Sequence, residues 1–315
     1  MNRDVIARVI DAQELDARDD PRGEFIRVQC ALRGRLGVGD FHELRAIEAE
    51  LLMEHLTRWL GTAVAVRAYR GVFREGSLDD LGKVPVDLFV QHAEAIFAEH
   101  PVRRLNLQDV DSDSVEALRS LACMAQLTHL SIEGRSDGRP GDTILERLST
   151  APWLSSIESL RVAYSRFSAT GVAALASSEA LVMLRELGLR SCRLDDDSAR
   201  ALSGETSLGR CQVLHLTDNN LTDAGAEALA HNTGLRSLRV LSLGKNLIAD
   251  AGVAALASSE ALVTLRKLDL HGNNISDAGA RSLAGSVALA SLESVDLYGC
   301  YRFEPATLRA LEEGF

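Results

Sequence analysis

The segment Leu214–Leu229, LHLTDNNLTDAGAEAL, returns as LSLGKNLIADAGVAAL at Leu241–Leu256 and as LDLHGNNISDAGARSL at Leu268–Leu283, which sets a period of 27 residues. No unit this short can bury its own apolar face, so a chain with such a period must stack successive units on one another. The shared frame is L-x-x-L-x-L-x-x-N-x-L/I followed by a stretch rich in Ala, Gly and Leu. Its first half alternates with period 2 and predicts a very short strand; its second half follows the 3.6-residue period and predicts a helix.

The frame extends well beyond these three copies. The first residue of the L-x-L pair falls at Leu105, Leu130, Leu160, Leu187, Leu214, Leu241, Leu268 and Val295, which makes eight units over 102–315 with five successive 27-residue steps after the third. VAALASSEALVMLRELGL, Val172 to Leu189, matches VAALASSEALVTLRKLDL, Val253 to Leu270, at 15 of 18 positions, so three units were copied as a block. Asn219, Asn246 and Asn273 hold the Asn position. Val110, Arg135, Ser165, Cys192 and Cys300 replace it elsewhere, and the first two units are degenerate. A buried Asn amide there can satisfy backbone groups that turn inward as the chain leaves the strand, and a small thiol fits the same place with less hydrogen bonding.

These units resemble the leucine-rich repeats of the ribonuclease-inhibitor type over about two-thirds of the chain. The resemblance implies an α/β leucine-rich repeat solenoid, with a parallel sheet on its concave side and α-helices on its convex side. In the helical half, Asp223, Asp250 and Asp277 each precede Ala-Gly, where a short acid is expected to cap its own helix. Gly171, Gly225, Gly252 and Gly279 recur at multiples of 27, with Ser198 in the gap, and are expected to let the helix approach the strand closely.

Residues 1–101 are not repeats. Pro21 and Gly23 mark a helix start within 11–36. Asp40 and Glu43 open DFHELRAIEAELLMEHLTRWLG in capping-box spacing, with Phe41, Leu44, Leu51, Leu52, Leu56, Trp59 and Leu60 on one face. Short strands are expected at 63–66 and 72–78, and a helix at 86–100. The sum is a small α+β cap. This stretch is similar to the repeat-companion domain that precedes leucine-rich repeats in bacterial proteins, through Asp20-Pro21-Arg22-Gly23-Glu24-Phe25-Ile26-Arg27-Val28-Gln29, Leu52, His55, Trp59-Leu60-Gly61, Arg70-Gly71 and Pro101-Val102-Arg103. It departs from that pattern at RVIDAQELDAR, Arg8 to Arg18, which lacks the family's Trp and Tyr. The resemblance implies architecture and no activity.

Charge narrows the choice of partners. The net charge is −11, with 13 Lys+Arg against 18 Asp+Glu in residues 1–101 and 21 against 27 in the rest, so neither part is basic and neither nucleic acid nor an anionic membrane is an expected partner. Five cysteines with no C-x-x-C spacing favour reduced, buried thiols. The N-terminal stretch has no signal-like apolar run and no segment reaches the length of a membrane span, which points to a bacterial cytoplasm.

No phosphate loop, dinucleotide fingerprint, zinc-protease helix or nucleophile elbow occurs, so no enzymatic role and no cofactor is expected. His129, His215 and His271 lie on different units. Rungs are about 4.8 Å apart, which keeps His215 and His271 too distant to share one metal, and no metal is expected. What remains is a surface. The outward residues of the strands and the turns after them supply Arg161, Tyr164, Arg190, Lys245 and Lys267, the imidazoles of His215 and His271, the acids Asp218, Asp269 and Asp296, and Tyr298. This mixture suits contact with another protein. The expected function is a non-enzymatic interaction module that binds a protein on the concave face. Alternatives resting on fold analogy are a regulator of a small GTPase, of the GTPase-activating kind, and an enzyme inhibitor. Tyr298, Tyr301 and Phe303 crowd the final strand, so weak self-association through that C-terminal edge is a further expectation.

Overall fold

The computed structural model describes residues 17–18, 20–33, 43–44, 46–48, 50–51, 54–55, 73–74, 77–135, 141–202, 207–301 and 303–314. The chain divides into two compact units, Met1–Asn106 and Leu107–Phe315. In the first, a helix runs over Arg22–Arg33. Asp20 anchors its start by accepting from the Arg22 backbone N–H at 3.0 Å and pairing with the Arg22 guanidinium at 2.6 Å. Phe25 and Val28 are buried on one face. Most of the helix expected over 40–61 and the strand expected at 63–66 lie outside the described residues; those of 43–55 that are described are helical.

Strands β1, Phe73–Arg74, and β2, Ser77–Leu78, form an antiparallel pair, and β3 covers Asp80–Pro85. The helix expected at 86–100 is present over Val86–Glu99, and it buries Val86, Phe89, Ala93, Ile96 and Phe97 along one side. Phe89 and Phe97 meet edge to face with centroids 6.2 Å apart.

Across the repeats the described strands are β4, Arg104–Val110, β5, His129–Gly134, β6, Ser159–Ala163, β7, Glu186–Arg190, β8, Val213–His215, β9, Val240–Ser242, β10, Lys267–Asp269, and β11, Ser294–Asp296. They are hydrogen-bonded in sequence order. From β5 onward the pairing is parallel and never slips: Leu130 faces Leu160, then Leu187, Leu214, Leu241, Leu268 and Val295 in turn. A slip of one residue would turn every leucine out of the core, so the 27-residue frame is the register of the sheet. In the fifth unit Leu214, Leu216, Leu221, Ala226, Leu229, Leu235 and Leu238 are all fully buried. Each such leucine contributes about 1.5–3 kcal/mol. Among the described residues no helix is long and apolar enough to cross a membrane.

Two sets of polar side chains tie neighbouring units together. Asn219, Asn246 and Asn273 are buried. The Nδ2 of Asn219 donates to Leu189 O at 2.8 Å and Leu216 O at 2.9 Å, while its Oδ1 accepts from Cys192 N and Leu194 N at 3.0 Å. Asn246 repeats this with Leu216 O, Leu243 O and Leu221 N, and Asn273 with Leu243 O, Leu270 O and Ile248 N. Each amide therefore serves the turn of the unit before it. At the same position Cys192 Sγ reaches Val162 O at 3.4 Å and Cys300 Sγ reaches Leu270 O at 3.4 Å.

The second set corrects the expected caps. Thr222, Ala249 and Ser276 are the N-cap residues, so Asp223, Asp250 and Asp277 stand inside their helices. Their carboxylates serve the next unit. Asp223 Oδ1 accepts from Ala249 N at 2.7 Å and Gly252 N at 2.9 Å; Asp250 Oδ1 accepts from Ser276 N at 2.8 Å and Gly279 N at 3.1 Å. Asp142 and Asp196 do the same for Ser168 and Thr222.

The recurrent glycines follow from this arrangement and do not admit a strand. A Cβ on Gly171, Gly225, Gly252 or Gly279 would come within 2.5–2.7 Å of the Oδ1 of Asp142, Asp196, Asp223 or Asp250 respectively. Ser198 fits the one gap because the preceding unit has Ala169 where the others have Asp, and that helix is capped by its own Asp195, which accepts from Ser198 N at 2.9 Å.

These bonds carry a pH dependence. Burial works to raise Asp250, but hydrogen bonds from Ser276 and Gly279 outweigh it and hold its carboxyl below the ordinary value. Hydrogen bonds from Ser198 likewise lower Asp195. Groups lowered on folding contribute stability above their unfolded value of about 4, and it is lost as pH falls through the folded value. The melting temperature should fall steadily below about pH 4, and Asp250→Asn should flatten that fall while lowering stability at pH 7; equal acid slopes for both chains would refute the assignment.

Candidate functional site

The register that buries the leucines also lays out the opposite face of the sheet. Ser131, Arg161, Gly188, His215, Ser242, Asp269 and Asp296 form one row across successive strands. Two residues on, Glu133, Ala163 and Arg190 begin a second row, which the 27-residue period continues through Thr217, Gly244, His271 and Tyr298. At the end of each strand from β6 onward the backbone turns left-handed, with φ of 58° at Tyr164, 54° at Ser191, 61° at Asp218, 54° at Lys245, 65° at Gly272 and 73° at Gly299. A non-glycine residue held this way costs roughly 1–2 kcal/mol. In return it stands at a fixed angle on the rim of the face.

Small residues in the middle of both rows leave a hollow of about 580 Å³. Arg161, Tyr164, Arg190, His215, Lys245, Asp269 and His271, all singled out from sequence, line it, together with Glu133 and Thr217. Asp218, Lys267, Asp296 and Tyr298 stand outside its lining. Two glycines make room for neighbours to lie flat. A Cβ at Gly188 would be 3.1 Å from Arg161 Cγ, and one at Gly244 would be 2.1 Å from His271 Nδ1.

Charges on this face are unequally engaged. The Glu186 carboxylate accepts from Arg161 Nε at 2.5 Å and from Ser159 Oγ at 3.0 Å, with Arg161 Nη2 against it as well. His215 Nε2 lies 3.6 Å from Glu186, and its Nδ1 is 2.9 Å from Ser242 Oγ. Burial lowers the His215 pKa, as does Arg161, against the opposing pull of Glu186 and Asp269. Arg161 is thus tied within the molecule, contrary to its expected availability. Among the described residues, no ion-pair partner stands against Arg190 or Lys245.

The order Ser242, His215, Glu186 has the residue types of a nucleophilic triad. Ser242 is buried, however, and the 3.6 Å separation from a carboxylate already held by Arg161 leaves the imidazole poorly backed as a base. The set reads as a brace across three strands.

A second cluster lies nearer the C-terminal end, where His271 Nδ1 is 2.6 Å from Asp269 Oδ1, and one donor atom each from Asp269, His271 and Asp296 lie within 4.8 Å of one another. Considering histidine pairs alone misses this mixed set; the signal was Asp269 and Asp296 sharing a register 27 residues apart. Glu186, Gly188, Ser242 and Gly244 were expected on this face by the frame but were not singled out as parts of the site. Past β11, Tyr298 and Tyr301 are largely exposed, and Val295, Leu297, Tyr298, Phe303, Leu308 and Leu311 line an apolar hollow of about 450 Å³. Cys123, Cys192, Cys211 and Cys300 carry free thiols; burial pushes Cys192 up to about 12 and Cys211 up to about 11, which keeps both protonated and unreactive.

A family model for leucine-rich repeats matches residues 212–230, 234–257 and 261–284. A search of curated proteins gave no match. Among solved structures the chain is similar to an internalin from Listeria monocytogenes, at 18% identity and a TM-score of 0.40 over 67% of this chain and 64% of that one. It is similar also to the Rad7 and Elc1 complex of yeast, at 15% identity and a TM-score of 0.48 over 98% and 88% of the chains. A Bacteroides fragilis protein matches at 15% identity and a TM-score of 0.48 over 83% and 85%. The chain thus spans 64% of the internalin.

Proposed function

We propose that this leucine-rich repeat chain, of the ribonuclease-inhibitor-like type and without enzymatic activity, binds another protein on the concave face of its repeats. The observation that carries the reading is the 580 Å³ hollow on a rigid sheet, in which Arg190 and Lys245 have no ionic partner among the described residues while Tyr164 is half exposed. Unpaired cations and an aromatic, held on a backbone already ordered, lose little further entropy when a partner docks. The partner should therefore place a carboxylate between Arg190 and Lys245.

A protein captured from the native cell should lose at least about tenfold in affinity for the Arg190→Ala, Lys245→Ala double variant, which corresponds to about 1.4 kcal/mol. Arg200→Ala with Glu227→Ala, on helices at the other side of the units, should bind as the wild type does. Wild-type affinity in the first variant would exclude the concave face.

A second reading is favoured by the exposed Tyr298 beside the apolar hollow at the last strand. If that edge pairs copies of the chain, Tyr298→Ala with Tyr301→Ala will change oligomeric state and leave capture of the partner intact.

A further inference from the structure

We infer that Asp269, His271 and Asp296 form a binding site for a first-row divalent transition cation such as Zn²⁺ or Co²⁺. One donor atom from each lies within 4.8 Å of the other two. Bonds to such an ion are about 2.0–2.2 Å long. Adjacent donors around it are then roughly 3–4 Å apart, so side-chain rotation closes the set without moving a strand.

The backbone prepares the three groups. Asp269 and Asp296 are register partners on the parallel strands β10 and β11, and His271 follows Asp269 by two residues on the same face. Each carboxylate is steadied by a backbone N–H two residues on: Asp269 Oδ1 accepts from His271 N at 3.0 Å, and Asp296 Oδ1 from Tyr298 N at 2.9 Å. The imidazole is held by Asp269 on one side and lies over the space that Gly244 leaves on the other. Partners of this kind orient metal ligands.

The sequence singles out the same place by an independent route. Asp269-Leu270-His271-Gly272 and Asp296-Leu297-Tyr298-Gly299 are the only units from the fourth onward with Asp at the first of these positions and Gly at the last; the fourth to sixth read GLRS, HLTD and LGK-bearing SLGK. Gly272 and Gly299, left-handed at φ 65° and 73°, keep side chains off the rim on which Lys245 and Asp218 stand in earlier units. Two carboxylates and one imidazole suit zinc and cobalt; a calcium site would draw on oxygen alone. Three protein donors leave further positions for water or for a donor from a docked molecule.

The test is calorimetric titration of the full chain with ZnCl₂ and CoCl₂. One ion per chain should bind, with affinity falling at least about tenfold in His271→Gln and in Asp296→Asn and unchanged in His231→Gln, whose imidazole is exposed on its helix, 2.9 Å from Glu227 O. A melting temperature that rises with metal in the wild type, and not in His271→Gln, gives a second readout. The inference fails if the wild type takes up no ion at millimolar metal, if His271→Gln and Asp296→Asn both bind as the wild type does, or if the cobalt form shows thiolate charge-transfer absorption, which would place the ion on a cysteine.

Discussion

Gly252→Ser should destabilise the chain by about 3–4 kcal/mol, as read from urea or thermal unfolding. A Cβ at this position would meet Asp223 Oδ1 at 2.7 Å, Asp223 Cα at 2.9 Å and Ile248 Cγ2 at 2.9 Å. The Cα belongs to a helix backbone and cannot swing aside. Overpacking of this kind costs about 1–3 kcal/mol, and separating the helices also breaks the charge-assisted bonds from Ala249 N and Gly252 N to Asp223, worth about 1.5–3 kcal/mol each when intact.

The chain itself supplies the rescue. In the third and fourth units the corresponding residues are Ala169, Asp195 and Ser198, so the triple variant Asp223→Ala, Ala249→Asp, Gly252→Ser reproduces a solution already in use. It should unfold within about 1 kcal/mol of the wild type. If the triple variant is no better than Gly252→Ser alone, the clash with Asp223 is not the cause.

Asn246→Ala should cost about 1–3 kcal/mol, because it leaves the buried N–H of Leu221 without a partner, while the carbonyls of Leu216 and Leu243 each lose one of two amide donors and keep those of Asn219 and Asn273. Each buried group left unpaired costs about 1–3 kcal/mol, partly relieved by local relaxation. The opposite sign is expected three units earlier. Ser165 holds the same position, is buried, and its hydroxyl finds no hydrogen-bond partner among the described residues. Ser165→Ala should therefore be neutral or stabilising by up to about 1 kcal/mol. Equal losses in both variants would mean that the position responds to volume and not to hydrogen bonding.

Much of the fold is written locally. Leu214, Leu241 and Leu268 announce strand, register and core together, because a period of 2 inside a period of 27 admits a single alignment of neighbours. The role of Asp223 was not readable in the same way. Cap and first helical residue differ by a single position, and the groups Asp223 binds lie 26 and 29 residues away in the next unit. Ser198 was the one clue, an exception whose reason becomes visible only beside Ala169.

On the open face, residue types and placement followed from the frame, but their engagement did not. Arg161 looked as available as Arg190 until its side chain was seen lying across Gly188 toward Glu186, a matter of rotamer that no spacing records. The hollow itself comes from what Gly188 and Gly244 lack, and an absence of side chain is silent in a pattern of leucines.

The interlocking of units has a direction in time. Asn219 reaches back to complete the turn of the unit before it, while Asp223 reaches forward to start the helix of the unit after it. As the chain leaves the ribosome, each newly made segment meets a carboxylate already in position, yet the turn behind it stays unsatisfied until the next asparagine emerges. The newest unit thus lacks its closing bonds until its successor is made, so during synthesis the array can be complete no further than one unit behind its growing end.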